Sequence, residues 1–295
     1  MKLDADWIVG FTDADGCFAV RTVPTNRCSF VISQDERSKH VLFAIKSFFG
    51  VGSVHKAGGT MWAYHVGSLE TLNLVIVPFF ETHPLRTSKY ISWLKFREAV
   101  LSNMLRETIS RIVSRSLGKS SPVAEINFSE DQNNKNPQNT KNTLIDNTVQ
   151  DEPITASWLR GFIDGDGCFS VSIVQRPRPQ FILGVHAKDK SVCERIQIFL
   201  GCGVIYARKN GFVIYQISAQ KDLILRLFPI LYTHGNCHLL RTQKRHNVSL
   251  FRRIVLAMEQ RLHLTEQGLA QIKIWKERMR SAKREAEMLD NTSRR

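Results

Sequence analysis

Apolar and polar positions run through the same program twice along this chain. The string Trp7-Ile8-Val9-Gly10-Phe11-Thr12-Asp13-Ala14-Asp15-Gly16-Cys17-Phe18 returns 151 residues later as Trp158-Leu159-Arg160-Gly161-Phe162-Ile163-Asp164-Gly165-Asp166-Gly167-Cys168-Phe169. The same spacing links Gly52 to Gly203 and Tyr64 to Tyr215. A second shared string, Leu85 to Lys89 against Leu240 to Lys244, stands 155 residues apart, so the later copy gained a few residues in a loop. Register held over this distance marks an internal duplication.

Each copy predicts helix, strands, helix, strands, helix. The first helix opens near Asp4 or Asp6 in one copy and near Thr155 or Ser157 in the other, both good N-caps. It ends at Gly16 or Gly167, the residue type expected just past a helix terminus. Strands are predicted from Phe18–Thr22 and Phe169–Ile173, then from Ser29–Ser33 and Phe181–Val185. A helix follows around Ser38–Phe49 and Ser191–Leu200, with apolar residues at 41, 42, 45, 48 and 49 in the first. Glycine turns at Gly50–Gly52 and Gly201–Gly203 lead to hairpins holding Tyr64 and Tyr215. Helical stretches around Thr87–Met104 and Thr242–Met258 close the halves. The pattern predicts an α+β fold of two pseudo-twofold halves, each a four-stranded antiparallel sheet with helices on one face. Residues 1–116 and 156–275 form the halves. Between them, 117–155 is Asn-rich, nearly free of periodic apolar positions, and expected to be a flexible tether. A basic tail, 276–295, is expected as a surface helix or a disordered arm.

Composition adds less than this pattern. The 295 residues are 43% hydrophobic, ordinary for a globular chain. Charge adds more: the net is +14. Residues 117–156 carry three basic and six acidic side chains, which leaves +17 on the rest. Such a surplus suits a polyanion, because each neutralised phosphate releases counterions. The six cysteines form no C-x-x-C pair, so a zinc ribbon or disulfide framework is not expected, and buried reduced thiols are. The start of the chain resembles neither a signal nor an Arg-rich transit peptide, and no apolar run is long enough to span a bilayer, so no membrane role is expected.

The chemistry lies at the end of the repeated helix. Asp13 and Asp15, like Asp164 and Asp166, stand in a last turn where the helix dipole is negative, an unfavourable place for acids unless a cation offsets them. A divalent metal would do so, and oxygen ligands suit Mg²⁺. Gly10 and Gly161 sit mid-helix, where glycine costs about 1 kcal/mol against alanine, which suggests a second backbone packed on that face. If the two helices pack on each other, Asp15 and Asp166 converge on shared or adjacent metals. Two metals can stabilise the attacking and leaving oxygens of an in-line phosphoryl displacement. Twofold geometry gives one carboxylate per DNA strand.

The strings Ile8–Gly16 and Leu159–Gly167 resemble the LAGLIDADG motif, and the duplicated layout is similar to that of single-chain LAGLIDADG homing endonucleases, commonly encoded within organellar introns. The resemblance covers nearly the whole chain apart from the tether and the tail. It implies paired motif helices between the halves, two sheets forming a saddle in the major groove, and cleavage of one phosphodiester per strand to leave short 3′ overhangs. It further implies that Asp15 and Asp166 bind Mg²⁺ or Mn²⁺, two or more ions per active site, with the carbonyls of Ala14 and Gly165 assisting. Lys89 and Lys244 resemble basic residues at the edge of the family's active site. Gln34 stands where the family often orders the attacking water; the second-copy residue aligned with it is Ala187, beside Lys188, which puts a symmetric role in doubt. Arg160 departs from the motif's usual small or polar residue and is expected to point outward or pair with an acid. By the same resemblance the protein acts as a monomer, mitochondrial or otherwise organellar.

A major groove about 12 Å wide accepts a two-stranded ribbon, so alternate strand residues reach base edges. The candidate DNA-contacting residues are Arg21, Asn26, Arg27, Ser29, Gln34, His55, Lys56 and His65 in the first half. In the second they are Ser172, Arg176, Arg178, Gln180, His186, Lys188, Arg208, Lys209 and Gln216. The two sets differ, which predicts a non-palindromic duplex site of about 20 bp. Alternative readings are an intron maturase that binds its host intron RNA and a non-catalytic DNA-binding regulator on the same fold; neither needs both aspartates and both lysines.

Overall fold

The computed structural model describes residues 2–21, 27–116, 153–233 and 238–293. Asn26, Cys237 and the expected tether up to residue 152 lie outside them. The last residues assigned to that tether belong to the fold, since Ile154 is buried in the core and Thr155 caps a helix.

Helix α1 (Ala5–Asp15) is capped by the Asp4 carboxylate, which accepts from the Trp7 amide at 2.9 Å. Four strands follow: β1 (Gly16–Arg21), β2 (Arg27–Asp35), β3 (Ser53–Gly58) and β4 (Met61–Val66). They form one antiparallel sheet in the order β1-β2-β4-β3. Helix α2 (Lys39–Phe49) covers one face and stops at Gly50, whose φ of +70° is the left-handed conformation that favours glycine. Gly16 ends α1 differently. Its backbone is extended, and a side chain there would collide with Thr12, so it is required for space rather than for a left-handed turn.

A short helical stretch then passes through a π turn at Leu72–Ile76. Pro78 follows it, and a proline offers no amide to the carbonyl four residues back, so the ladder widens there. Helix α3 (Lys89–Ser116) ends the half and runs well past the expected Met104. Its distal part exposes Leu105, Ile109 and Ile112, so core packing does not explain the extra turns.

The second half repeats this order with α4 (Ala156–Asp166), β5 (Cys168–Ile173), β6 (Pro177–His186), α5 (Lys190–Leu200), β7 (Val204–Ala207), β8 (Phe212–Ile217), a π turn at Leu223–Leu227 and α6 (Lys244–Glu259). Its sheet order, β5-β6-β8-β7, is the same. Helix α7 (Glu266–Ser293) follows, beginning ahead of Trp275 and burying Ile272 and Met279.

Alternation sets the faces of both sheets. Phe18, Phe30, Ile32 and Tyr64 point into the first core; Phe169, Phe181, Leu183 and Tyr215 do so in the second. The opposite faces stay open. Cys17 and Cys168 begin the open faces and are exposed, which corrects the expectation of uniformly buried thiols; Cys28 and Cys193 are buried.

Candidate active site

Helices α1 and α4 pack backbone to backbone. A Cβ on Gly10 would land on the Trp158 carbonyl oxygen, and one on Gly161 would land on that of Trp7. The mid-helix glycines therefore trade helix propensity for close approach. Near the helix ends, a Cβ on Gly165 would strike the Ala14 side chain. Only one of the two facing positions can carry a methyl group, which explains why the repeat reads Asp-Ala-Asp once and Asp-Gly-Asp once.

The penultimate acids are the clamp of this interface. Asp13 is buried and accepts four hydrogen bonds: from the Arg86 amide (2.9 Å), the Thr87 amide (3.1 Å), the Thr87 hydroxyl (2.6 Å) and, across the interface, Trp158 Nε1 (2.8 Å). Asp164 mirrors it with Arg241, Thr242 and Trp7, whose indole lies at 3.1 Å. Burial pushes both carboxyls above the ordinary range, and these donors work against that shift. Their job is to tie each helix to its own Leu-Arg-Thr loop and to the other half. The repeated tryptophans and the shared Leu-Arg-Thr string signalled this network, although the sequence reading used them only for register.

The last acids are more open than the clamp, Asp15 half-buried and Asp166 exposed. Gln34 Nε2 donates to Asp15 Oδ2 at 2.6 Å. Burial, reinforced by the negative charge of Asp166, pushes Asp15 up to about 6, while Lys244, Gln34 and Lys89 pull the other way. Asp166 is also raised by desolvation, against the pull of Lys244 and Lys89. Each acid thus senses both lysines.

The lysines reach under the helix ends. Lys89 Nζ donates to the carbonyls of Thr12 (2.8 Å) and Ala14 (2.9 Å). Lys244 Nζ donates to those of Ile163 (3.0 Å) and Gly165 (2.6 Å). Both are held below the usual lysine range, burial being the main cause. The chain itself therefore places cations at the two negative helix poles. The Ala14 and Gly165 carbonyls, expected to face a metal, already accept from these ammonium groups.

The surroundings are not symmetric. Strand pairing sets Gln34 opposite Trp62 and the corresponding Val185 opposite Val213, so the counterpart of Gln34 is the buried Val185. Ala187 lies one turn further on, in the 3₁₀ turn Ala187–Asp189, which corrects the expected alignment. A cleft of about 340 Å³ beside Asp166 is lined by Lys89, Ser88, His186, Lys188 and Asp189, among others. Arg160 does not point outward, and among the described residues the Asp4 carboxylate acts on its charge without a direct ion pair. The arginine is half-buried and donates to the Ile230 carbonyl at 3.4 Å.

Register also sorts the expected DNA contacts. On the first open face, Arg21 lies opposite Arg27, Ala19 opposite Ser29, and His65 opposite both Val31 and Ser53; His55 shares this face. A groove of about 900 Å³ follows these positions, lined in part by Arg21, Arg27, Ser29 and His65. Gln34 and Lys56 are corrections. Both pair with Trp62, whose ring lies near Phe43 of α2, so they sit on the helix side of the sheet rather than in the open row. On the second open face, Ser172 lies opposite Arg178, Gln180 opposite Ser170, Gln216 opposite Ile182, and His186 opposite Phe212. Arg208 continues the row of Val204 and Tyr206. Arg176 and Lys209 occupy hairpin turns, and Lys188 the 3₁₀ turn. Gln216 is already engaged, accepting from the Tyr206 hydroxyl at 2.8 Å and donating to Ser218 Oγ at 2.5 Å.

A family model described as LAGLIDADG endonuclease matches residues 8–100 and 159–255. A "Probable intron-encoded DNA endonuclease 1" from Mycosarcoma maydis is 27% identical over 253 residues, spanning 76% of this chain and 90% of that protein. A "Probable intron-encoded endonuclease 2" from Neurospora crassa is 24% identical over 292 residues, 92% of this chain but 64% of that longer protein. Among solved structures, meganuclease I-SmaMI bound to uncleaveable DNA is similar with a TM-score of 0.74 at 25% identity, covering 94% of this chain and 96% of that one.

Proposed function

Because the chain belongs to the LAGLIDADG endonuclease family, we propose that it is an intron-encoded homing endonuclease of organellar origin that cuts both strands of a long, non-palindromic DNA site as a monomer. The observation that carries this reading is the convergence of two carboxylates at packed helix ends, each in the electrostatic field of both lysines.

The donor set fits Mg²⁺ or Mn²⁺. Asp15 and Asp166 offer hard oxygen ligands, the donor type that Mg²⁺ and Mn²⁺ prefer. Burial first, and the charge of Asp166 second, raise Asp15, and a cation beside the two acids would offset both. Asp15 and Asp166 would hold the metals, with the Ala14 and Gly165 carbonyls beside them; bound there, divalent ions would activate water and stabilise charge on the transferring phosphoryl group.

The chain's own groups do the rest. Gln34 fixes the Asp15 carboxylate through Nε2 and leaves Oε1 to accept a hydrogen bond from the attacking water on one strand only; one phosphodiester breaks per strand, with short 3′ overhangs as the product. Lys89 and Lys244 supply positive charge beside the developing phosphorane, worth most because they are already in place. The open rows from Arg21 to His65 and from Ser172 to Gln216 seat the duplex, Arg and Lys suiting guanine and phosphate.

The test is incubation with Mg²⁺ and a library of long duplexes. Wild type is expected to yield one family of double-strand breaks, and Asp15→Asn to bind the same site without cutting it. A wild-type protein that binds duplex tightly and never cuts sinks the reading and favours a regulator. Preference for structured RNA over duplex favours a maturase.

A further inference from the structure

Each lysine is carried at the start of a helix that its own half does not fully cap. Thr87 holds the Lys89 amide (3.2 Å) and is itself bound to Asp13. The next orphan amide, that of Ser88, donates instead to Asp189 of the other half, and the Ser88 hydroxyl donates to Asp189 Oδ2 at 2.9 Å. A second bond reinforces the junction, from Arg195 Nη2 to the Arg86 carbonyl at 2.6 Å. The reciprocal junction is weaker. Gln243 donates its amide to Ser38 Oγ at 3.0 Å, and His40 Nε2 lies 2.8 Å from the Arg241 carbonyl. One lysine is thus anchored by a carboxylate at the positive pole of a 28-residue helix. The other is anchored by a neutral hydroxyl.

Asp189 also ends the 3₁₀ turn that begins with Ala187, directly after His186 on the open face of β6. The Lys188 amide donates to His186 Nδ1 at 3.3 Å, so the turn is a stiff unit. His186, Lys188, Asp189, Ser88 and Lys89 all line the cleft that holds Asp166.

We propose that Asp189 is a positioning residue for Lys89, acting across the interface, so that seating of the His186–Lys188 turn on DNA sets the register of the lysine that serves one strand cut. This rests on the nuclease reading above. It assigns the second half a charged anchor for the first half's lysine, which Ser38 returns only through a neutral hydroxyl.

The experiment measures each strand's nicking rate on a cleavable duplex labelled on both strands, with affinity measured separately in EDTA. Lys89→Ala and Lys244→Ala identify the strand each lysine serves. Asp189→Ala is expected to slow the Lys89 strand about tenfold, since small misplacements of a catalytic group are costly, and to leave the other strand and the affinity within about twofold. Asp189→Ser, which installs the neutral hydroxyl used at the reciprocal junction, is expected to recover part of the lost rate but to leave the Lys89 strand slower than wild type, and it provides the test if the alanine variant does not fold. Equal slowing of both strands, slowing of the Lys244 strand, or unchanged rates overturns the proposal. A wild-type protein that cuts neither strand refutes instead the nuclease reading itself.

Discussion

Replacing Gly10 by alanine should destabilise this protein, against the usual rule for helices. In an open helix the change gains about 1 kcal/mol of propensity. Here the new methyl group would occupy the position of the Trp158 carbonyl oxygen, which is backbone and cannot swing away. Relief requires the two helices to part, and overpacking of this kind costs about 1–3 kcal/mol. Parting also stretches the crossed indole bonds, Trp158 to Asp13 at 2.8 Å and Trp7 to Asp164 at 3.1 Å. Hydrogen bonds to charged groups are worth about 1.5–3 kcal/mol each, and both acceptors are buried. Taking the low end of each range and subtracting the propensity gain leaves a net loss of at least about 3 kcal/mol, or a melting temperature lower by at least about 6–12 °C for a chain of this size. Denaturant titration with near-UV detection of the tryptophans gives the number directly. A Gly10→Ala protein as stable as wild type, or more so, would refute the close-packing argument and with it the reason for glycine in both copies.

Three further outcomes follow from the same geometry. Gly165→Ala alone should lower stability by about 1–3 kcal/mol through overpacking, whereas the exchange Ala14→Gly with Gly165→Ala should restore most of it, because only one methyl fits; an additive double-mutant cycle would contradict this. Asp15 is held near 6 against 3.8, so the folded protein binds its proton more tightly than the unfolded chain, and stability without metal falls as pH rises from about 4 to 6. Asp15→Asn should flatten that limb and raise the melting temperature at pH 7, and wild-type affinity for Mn²⁺ should drop below pH 6; parallel pH–stability curves would refute the assignment. Arg178→Ala should weaken duplex binding and reduce its salt slope by about one, whereas Lys56→Ala, on the helix side, should leave both unchanged in binding titrations at several salt concentrations.

Much of the fold was legible because it repeats. Periodicity located the main strands and helices of each half but not the helical stretches through the π turns, and the glycines at 10 and 161 announced a backbone contact that the structure contains. Convergence of Asp15 and Asp166 followed from that contact, whereas Gln34 came from the family resemblance alone. What escaped the sequence was long-range. The indole of Trp7 and the carboxylate of Asp164 are 157 positions apart, and nothing local in either string says that each belongs to the other half. Asp189 reads as a helix-start acid until the Ser88 amide is found beside it. Face errors at Gln34 and Lys56 arose from parity, since one step along a strand exchanges the open side for the helix side, and the bulge after Lys56 disturbs the count further. Ala187 was two steps from the true counterpart of Gln34, a slip that keeps parity and so leaves no mark in the apolar alternation. The length of α3 was missed because its distal turns bury little, so no apolar stripe marked where it stops.

The crossed indole–carboxylate pairs have one more consequence. Each half lends a tryptophan and receives one, so a half on its own would keep a buried acid one donor short and an indole with nowhere to bond. Two identical copies of either half would complete the exchange as fully as two different ones do. Covalent joining is therefore no requirement of this contact; it fixes which two halves meet. Once partnership is guaranteed by the chain, the flanking positions are released from self-matching, and glutamine can face valine, or aspartate face serine, across an axis that the tryptophans still obey.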